Sequence, residues 1–216
     1  MLASEVLEQE RVIAVIRADH VSDAAALCAA FVGAGIRCLE ITLTVANALD
    51  VIGELADRDD CVVGAGTVTT EREAADAMAA GARFLVSPVA EARVVRAGVT
   101  AETAVIAGAL TPTEVVHAAE LGAAAVKIFP ARIGGPRYVE DLRGPFPDLR
   151  LVPSGGVDAG NAAAYLAAGA FAVATGSSVA PPELVESGDW AEIGRRAEAF
   201  VASVATFRQP SGARVP

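Results

Sequence analysis

Apolar positions in this chain gather in short unbroken runs separated by longer stretches with helical spacing. Runs at 12–16, 36–43, 61–66, 82–88 and 103–107 are followed by a sixth within 123–131, then by 149–153 and 171–174. Between them, residues 22–34, 46–57, 71–80, 90–97, 111–122, 138–142 and 159–168 read as helices. A short amphipathic helix at 3–10 precedes the first run, and a longer one at 190–206 closes the pattern. Continuous apolar runs, in contrast to strict alternation, predict strands buried on both faces and therefore a parallel sheet. Gly35, Gly81, Gly122 and Gly169 each stand where a helix must stop and feed the next strand. TPTE (111–114) has the spacing of a capping box.

Eight strands alternating with eight helical stretches in this length predict an α/β fold, a (β/α)8 barrel with a short N-terminal helix. The expected organisation is one domain over 1–206 and a loose tail over 207–216. An open doubly wound sheet would want a glycine-rich dinucleotide loop after the first strand, and IRADHVSD (16–23) is unlike one.

Composition narrows the function. With 216 residues, 53% apolar content and a mean hydropathy of +0.45, one large core is expected. A net charge of −10 without a basic cluster argues against nucleic acid. No apolar run reaches membrane-spanning length, and MLASEVLEQERV lacks the cationic and apolar parts of a signal peptide. Cys28, Cys38 and Cys61 have no metal-ligand spacing and read as buried free thiols of a cytoplasmic protein.

Within the sixth run stands Lys127, the only lysine; the other 16 cations are arginine. A guanidinium keeps its proton and is a poor nucleophile, whereas an amine set among apolar groups can attack a carbonyl. The alternative is a strand-end lysine whose head reaches water. In a (β/α)8 barrel chemistry collects at the C-terminal strand ends. The polar residues there are Arg17, Glu40, Thr42, Thr67, Ser87, Lys127, Ser154 and Ser177. Glu40, inside RCLEITL, is costly to bury unless paired or functional, so it is either a proton carrier or a partner of Arg17 or Arg37. SGG (154–156) and TGSS (175–178) fall after strands seven and eight, where this architecture favours phosphate sites. They read equally as tight turns. His20 and His117 have no partner spacing, and no metal-ligand motif is visible, so a mechanism without metal or cofactor is expected.

These residues carry a resemblance. AVIR (14–17), GIRCLEITL (35–43), VGAGTV (63–68), SP (87–88), TPTE (111–114), AVKIFPA (125–131), LRGPFPDLRLVPSGGV (142–157) and GSS (176–178) are similar to the class I 2-keto-3-deoxy-6-phosphogluconate and 4-hydroxy-2-oxoglutarate aldolases. The resemblance implies that Lys127 forms a Schiff base with pyruvate and that Glu40 is the general acid/base. It implies that Thr67 holds the pyruvate carboxylate, that Phe129 and Pro88 wall the site, and that Arg17 contacts substrate. Gly155, Gly156, Gly176 and Ser177 would bind phosphate, with Ser154 beside them. Two positions depart from the family pattern: Thr44 stands where arginine usually follows the strand, and Ala107 replaces a proline.

The expected activity is reversible cleavage of a phosphorylated 2-keto-3-deoxy sugar acid to pyruvate and glyceraldehyde 3-phosphate. The galactonate epimer and 4-hydroxy-2-oxoglutarate are alternative substrates, and a non-catalytic sugar-phosphate-binding barrel or another barrel isomerase the alternative classes. The resemblance also implies a homotrimer.

Overall fold

The structure is a computed structural model and describes residues 3–208. After α1 (Ala3–Glu10), strand and helix alternate as β1 (Val12–Ile16), α2 (Ala24–Gly33), β2 (Cys38–Thr42), α3 (Ala48–Leu55), β3 (Val62–Gly66) and α4 (Glu71–Ala79). The series continues with β4 (Phe84–Val86), α5 (Ala92–Thr100), β5 (Ala104–Ala109), α6 (Pro112–Glu120), β6 (Ala125–Ile128) and α7 (Gly135–Arg143). It ends with β7 (Leu151–Pro153), α8 (Ala162–Ala167), β8 (Val173–Thr175), α9 (Pro182–Ser187) and α10 (Trp190–Val204).

All strand pairs are parallel, in the order β7-β6-β5-β4-β3-β2-β1-β8. The seam between β7 and β8 is closed by a parallel bridge between Ser154 and Ala174 and by the Phe171 N–H, which donates to Leu151 O at 2.8 Å. The expected (β/α)8 barrel is the observed one.

Strand periodicity explains the unbroken apolar runs. Val12, Ala14 and Ile16 pack under the helices, while Ile13 and Val15 point into the barrel. Both faces are therefore dry. Val6 and Leu7 of α1 join the inner cluster and stop the N-terminal end of the barrel. Glu10, at the end of α1, accepts the Arg37 N–H at 2.8 Å and pairs with its guanidinium.

The helices stop as the glycines predict. Gly35 has φ +90°, and beyond it the Ile36 N–H donates back to Phe31 O at 2.8 Å, so the left-handed residue turns the chain into β2. Gly81, Gly122 and Gly169 repeat the arrangement. Thr111 and Glu114 form the capping box expected of TPTE.

Several boundaries differ from the sequence expectation. The sixth strand ends at Ile128, because a cis Phe129–Pro130 peptide and a 3-10 turn over Ala131–Ile133 follow it. Helix α7 begins at Gly135, three residues before 138. Helix α8 begins at Ala162, later than 159, because Asp158 Oδ1 accepts the Gly160 and Asn161 N–H groups and holds a turn there. Helix α9 was not among the expected elements; Pro182 opens it, and proline is well suited to a first turn. Of the tail expected over 207–216, Phe207 closes a 3-10 turn and Arg208 donates to Gly35 O at 2.6 Å. Residues 209–216 lie outside the described residues. No helix among the described residues is long and apolar enough to cross a membrane.

Candidate active site

The C-terminal strand ends form one mouth, and β6 brings Lys127 into it. Lys127 is 5% exposed and Glu40, from β2, is 1% exposed. Lys127 Nζ lies 3.4 Å from Glu40 Oε1 and 5.6 Å from the centroid of the Phe129 ring. Removing both charges from water costs more than such a pair usually returns. Its presence is poorly explained by stability. Glu40 Oε2 is also buried and has no hydrogen-bond partner among the described residues. One carboxylate oxygen therefore faces the amine, and the other remains open to a donor.

Space for Glu40 and for its surroundings comes from missing side chains. A Cβ on Gly66 would fall 2.2 Å from Glu40 Oε1, and one on Gly108, which pairs with Lys127 across β5 and β6, would fall 2.1 Å from the Pro88 backbone. A Cβ on Gly64 would meet the Phe84 ring at 2.5 Å. Sequence reasoning missed all three. Their one signal is glycine inside a strand, which marks a close approach without saying of what.

On the β6–β8 and β1 side of the lysine opens a cleft of about 300 Å³. Arg17, Lys127, Phe129, Ser154, Gly155, Gly156, Gly176 and Ser177 line it, so the structure unites eight of the expected site residues there. Gly155 and Gly156 have φ of +83° and +89°. A Cβ on Gly156 would stand 2.7 Å from Arg132 Cβ. Two arginines, Arg17 and Arg132, both exposed, and Asp158 complete the charged lining. Arg132 was not singled out in the sequence.

The two small-residue loops of this cleft are tied together. Ser178 Oγ donates to Val157 O at 2.9 Å and lies 2.7 Å from Thr175 Oγ1. Ser177 is left exposed at the cleft. Neither Thr175 nor Ser178 was expected to act this way, because the tie forms only where β7 meets β8.

Glu40, Thr67 and Pro88 do not line the cleft. Glu40 lies beside Lys127, as described, and Thr67 and Pro88 follow β3 and β4 on the other side of the mouth. Thr67 has φ +60°, rare for a β-branched residue and held by the Leu43 N–H bond to Gly66 O and the Val68 N–H bond to Val86 O. Ser87 is fully buried and its hydroxyl accepts the Val89 N–H at 3.3 Å. Thr42 donates to Ile16 O at 3.1 Å and its hydroxyl lies 2.8 Å from that of Thr44, which is exposed at the rim. Arg37, the alternative partner of Glu40, pairs with Glu10. His20 and His117 are exposed.

Comparison with known proteins shows what the chain as a whole is similar to. The family model for KDPG and KHG aldolase matches residues 3–196. The 2-dehydro-3-deoxy-phosphogluconate aldolase of Pseudoalteromonas atlantica is 37% identical over 205 residues, 94% of this chain and 95% of that protein. The structure of KDPG aldolase from Legionella pneumophila, with pyruvate captured at low pH as a covalent carbinolamine intermediate, matches with a TM-score of 0.84 at 30% identity. That match covers 93% of this chain and 98% of the other. The 2-keto-3-deoxy-6-phosphogluconate aldolase of Zymomonas mobilis with 3-phosphoglycerate matches with a TM-score of 0.82 at 29% identity, covering 98% of each chain.

Proposed function

The chain belongs to the KDPG and KHG aldolase family, and on that premise we propose that it reversibly cleaves 2-dehydro-3-deoxy-6-phosphogluconate to pyruvate and glyceraldehyde 3-phosphate through an imine on Lys127. The observation that carries this reading is the buried amine–carboxylate pair, with Lys127 Nζ 3.4 Å from Glu40 Oε1 at the edge of the cleft.

Lys127 attacks the C2 carbonyl of the keto acid to give a carbinolamine, and loss of water gives the protonated imine. Glu40 carries the protons of both steps. It then takes the proton of the C4 hydroxyl, directly or through water, as the C3–C4 bond breaks and its electrons flow into the imine. The aldehyde leaves. The remaining enamine is protonated at C3, and hydrolysis returns pyruvate and the free amine.

The rest of the mouth divides the substrate. Thr67 holds the pyruvate carboxylate, with Phe129 and Pro88 as apolar walls. The loops at Ser154, Gly155, Gly156, Gly176 and Ser177 take the phosphate, helped by Arg17 and Arg132. Two cations and glycine-rich backbone favour a phosphorylated aldehyde half over the carboxylate of 4-hydroxy-2-oxoglutarate. Exposed apolar side chains, Val89 at 51% and Ile133 at 68%, suit a homotrimer. A reducing cytoplasm suits three cysteines that are all free.

The experiment is borohydride reduction with pyruvate followed by peptide mass mapping. One pyruvate-derived group should appear, on the peptide holding Lys127. A protein that turns over substrate yet stays unmodified under reduction would end the imine mechanism. Measuring cleavage of the gluconate, galactonate and 4-hydroxy-2-oxoglutarate substrates on one preparation decides among them.

A further inference from the structure

At the end of the barrel opposite the mouth, two thiols the aldolase chemistry does not use lie against each other. Cys28, in α2, and Cys61, just ahead of β3, have sulfurs 3.3 Å apart. Both are buried, at 0% and 4% exposure. Two unbonded sulfurs so close need to approach by only about 1.3 Å to reach the disulfide length of about 2.0 Å. The pair lies close under the surface: the turn directly before Cys61 contains Asp59 and Asp60, both exposed. Cys38, the third cysteine, packs inside the barrel, whereas Cys28 and Cys61 belong to the layer beneath the helices.

We propose that Cys28 and Cys61 are a modification site, a dithiol that a peroxide closes to a disulfide joining α2 to the entry of β3. The sulfurs have unequal roles. The Cys28 thiol donates to Cys61 Sγ, which holds the Cys61 thiol below its ordinary range and pushes that of Cys28 far above it. Burial and the Asp60 carboxylate oppose a thiolate at Cys61, while the Arg58 guanidinium, bound to Asp60 at 2.8 and 2.6 Å, favours one. Cys61, less deeply buried than Cys28 and next to the exposed Asp59–Asp60 turn, is therefore the attacking sulfur. Its thiolate displaces hydroxide from hydrogen peroxide, breaking the O–O bond and becoming a sulfenic acid. Cys28 then attacks that sulfur, loses its proton and expels the second oxygen as water. Two thiols and one peroxide give one disulfide and two waters, and the two electrons lost by sulfur reduce the peroxide. With Cys28 in contact, the sulfenic acid is resolved before it can be oxidised further.

The bond would close a loop of more than 30 residues that contains β2 and α3. Removing that freedom from the unfolded chain should raise Tm by about 5–10 °C. The catalytic pair stands at the other end of the barrel, so kcat should change less than about twofold.

The test treats the full-length protein with a few equivalents of hydrogen peroxide. Titratable thiols should fall from three to one, mass mapping should show Cys28 joined to Cys61, and dithiothreitol should reverse both changes and the Tm rise. Cys38→Ala should keep the response, and Cys28→Ala or Cys61→Ala should lose it. Three thiols remaining, a disulfide through Cys38, or a sulfinic acid at Cys61 would each overturn the proposal. So would zinc titrating the reduced pair and blocking its oxidation at stoichiometric metal, since Cys28, Asp60 and Cys61 also lie within ligand reach of one another. The wild-type measurement alone is decisive if a variant does not fold.

Discussion

The two halves of the mouth are built from opposite materials. Around Lys127 and Glu40 the work is assigned to side chains that are almost fully buried and sit within strands. Around Gly155, Gly156, Gly176 and Ser177 it is assigned to backbone and small groups in loops that are half-buried or exposed. The first half gains from exclusion of water, which strengthens each electrostatic interaction during bond making and breaking. On the proposed function the second meets a highly hydrated dianion and lets it go, and backbone donors cost little entropy to hold still. Damage to the first half should therefore appear in kcat, and damage to the second in KM.

The largest effect should come from Lys127→Arg, which keeps the charge and removes the amine. Steady-state cleavage should fall by roughly 10⁴–10⁶, the scale of a lost nucleophile, and no borohydride adduct should form. Glu40→Gln keeps the shape and removes proton transfer, so kcat should fall by roughly 10²–10⁴ while pyruvate is still trapped. A kcat close to wild type would reduce Glu40 to an ion-pair partner. Gly66→Ala would set a methyl 2.2 Å from Glu40 Oε1 and push the carboxylate aside. We expect kcat to fall by about 10²-fold, as for a catalytic group misplaced by about 1 Å, with KM for the aldehyde unchanged.

On the other half, Ser177→Ala removes one hydroxyl at the anion cleft. KM for glyceraldehyde 3-phosphate in the condensation direction should rise about tenfold or somewhat more, while that for an unphosphorylated aldehyde stays constant. Equal losses on both aldehydes would mean the two halves are not separate. The smallest change should come from Thr44→Arg at the rim. An added guanidinium should lower KM for pyruvate about fivefold to tenfold through a charge-assisted contact, leaving the aldehyde untouched. Loss of activity instead would show a mouth built differently from that of the family.

The same division decides what could be read from sequence. Lys127 and Glu40 are visible because a charge in an apolar run is locally anomalous, and the strands are visible because both faces are buried. Glycines 155, 156 and 176 are visible only as turn residues, and their role depends on which loops the barrel brings together. Gly66 and Gly108 are less visible still. They leave room for Glu40 and for the Pro88 backbone, and a glycine inside a strand does not say what it leaves room for. The Ser178 hydrogen bond to Val157 O and the placement of Arg132 against Gly156 exist only after the barrel closes. Helix α9 was hidden because two prolines stop a preceding element and start a following one with the same letters.

Because Lys127 is the only lysine in 216 residues, protein grown on lysine enriched with nitrogen-15 at its side chain would carry that label at a single atom. Free amine, carbinolamine and imine differ widely in the nitrogen chemical shift. Each state of the catalytic cycle would then be one unassigned line in a spectrum with no background, and its intensity would count how much of the protein waits at that step.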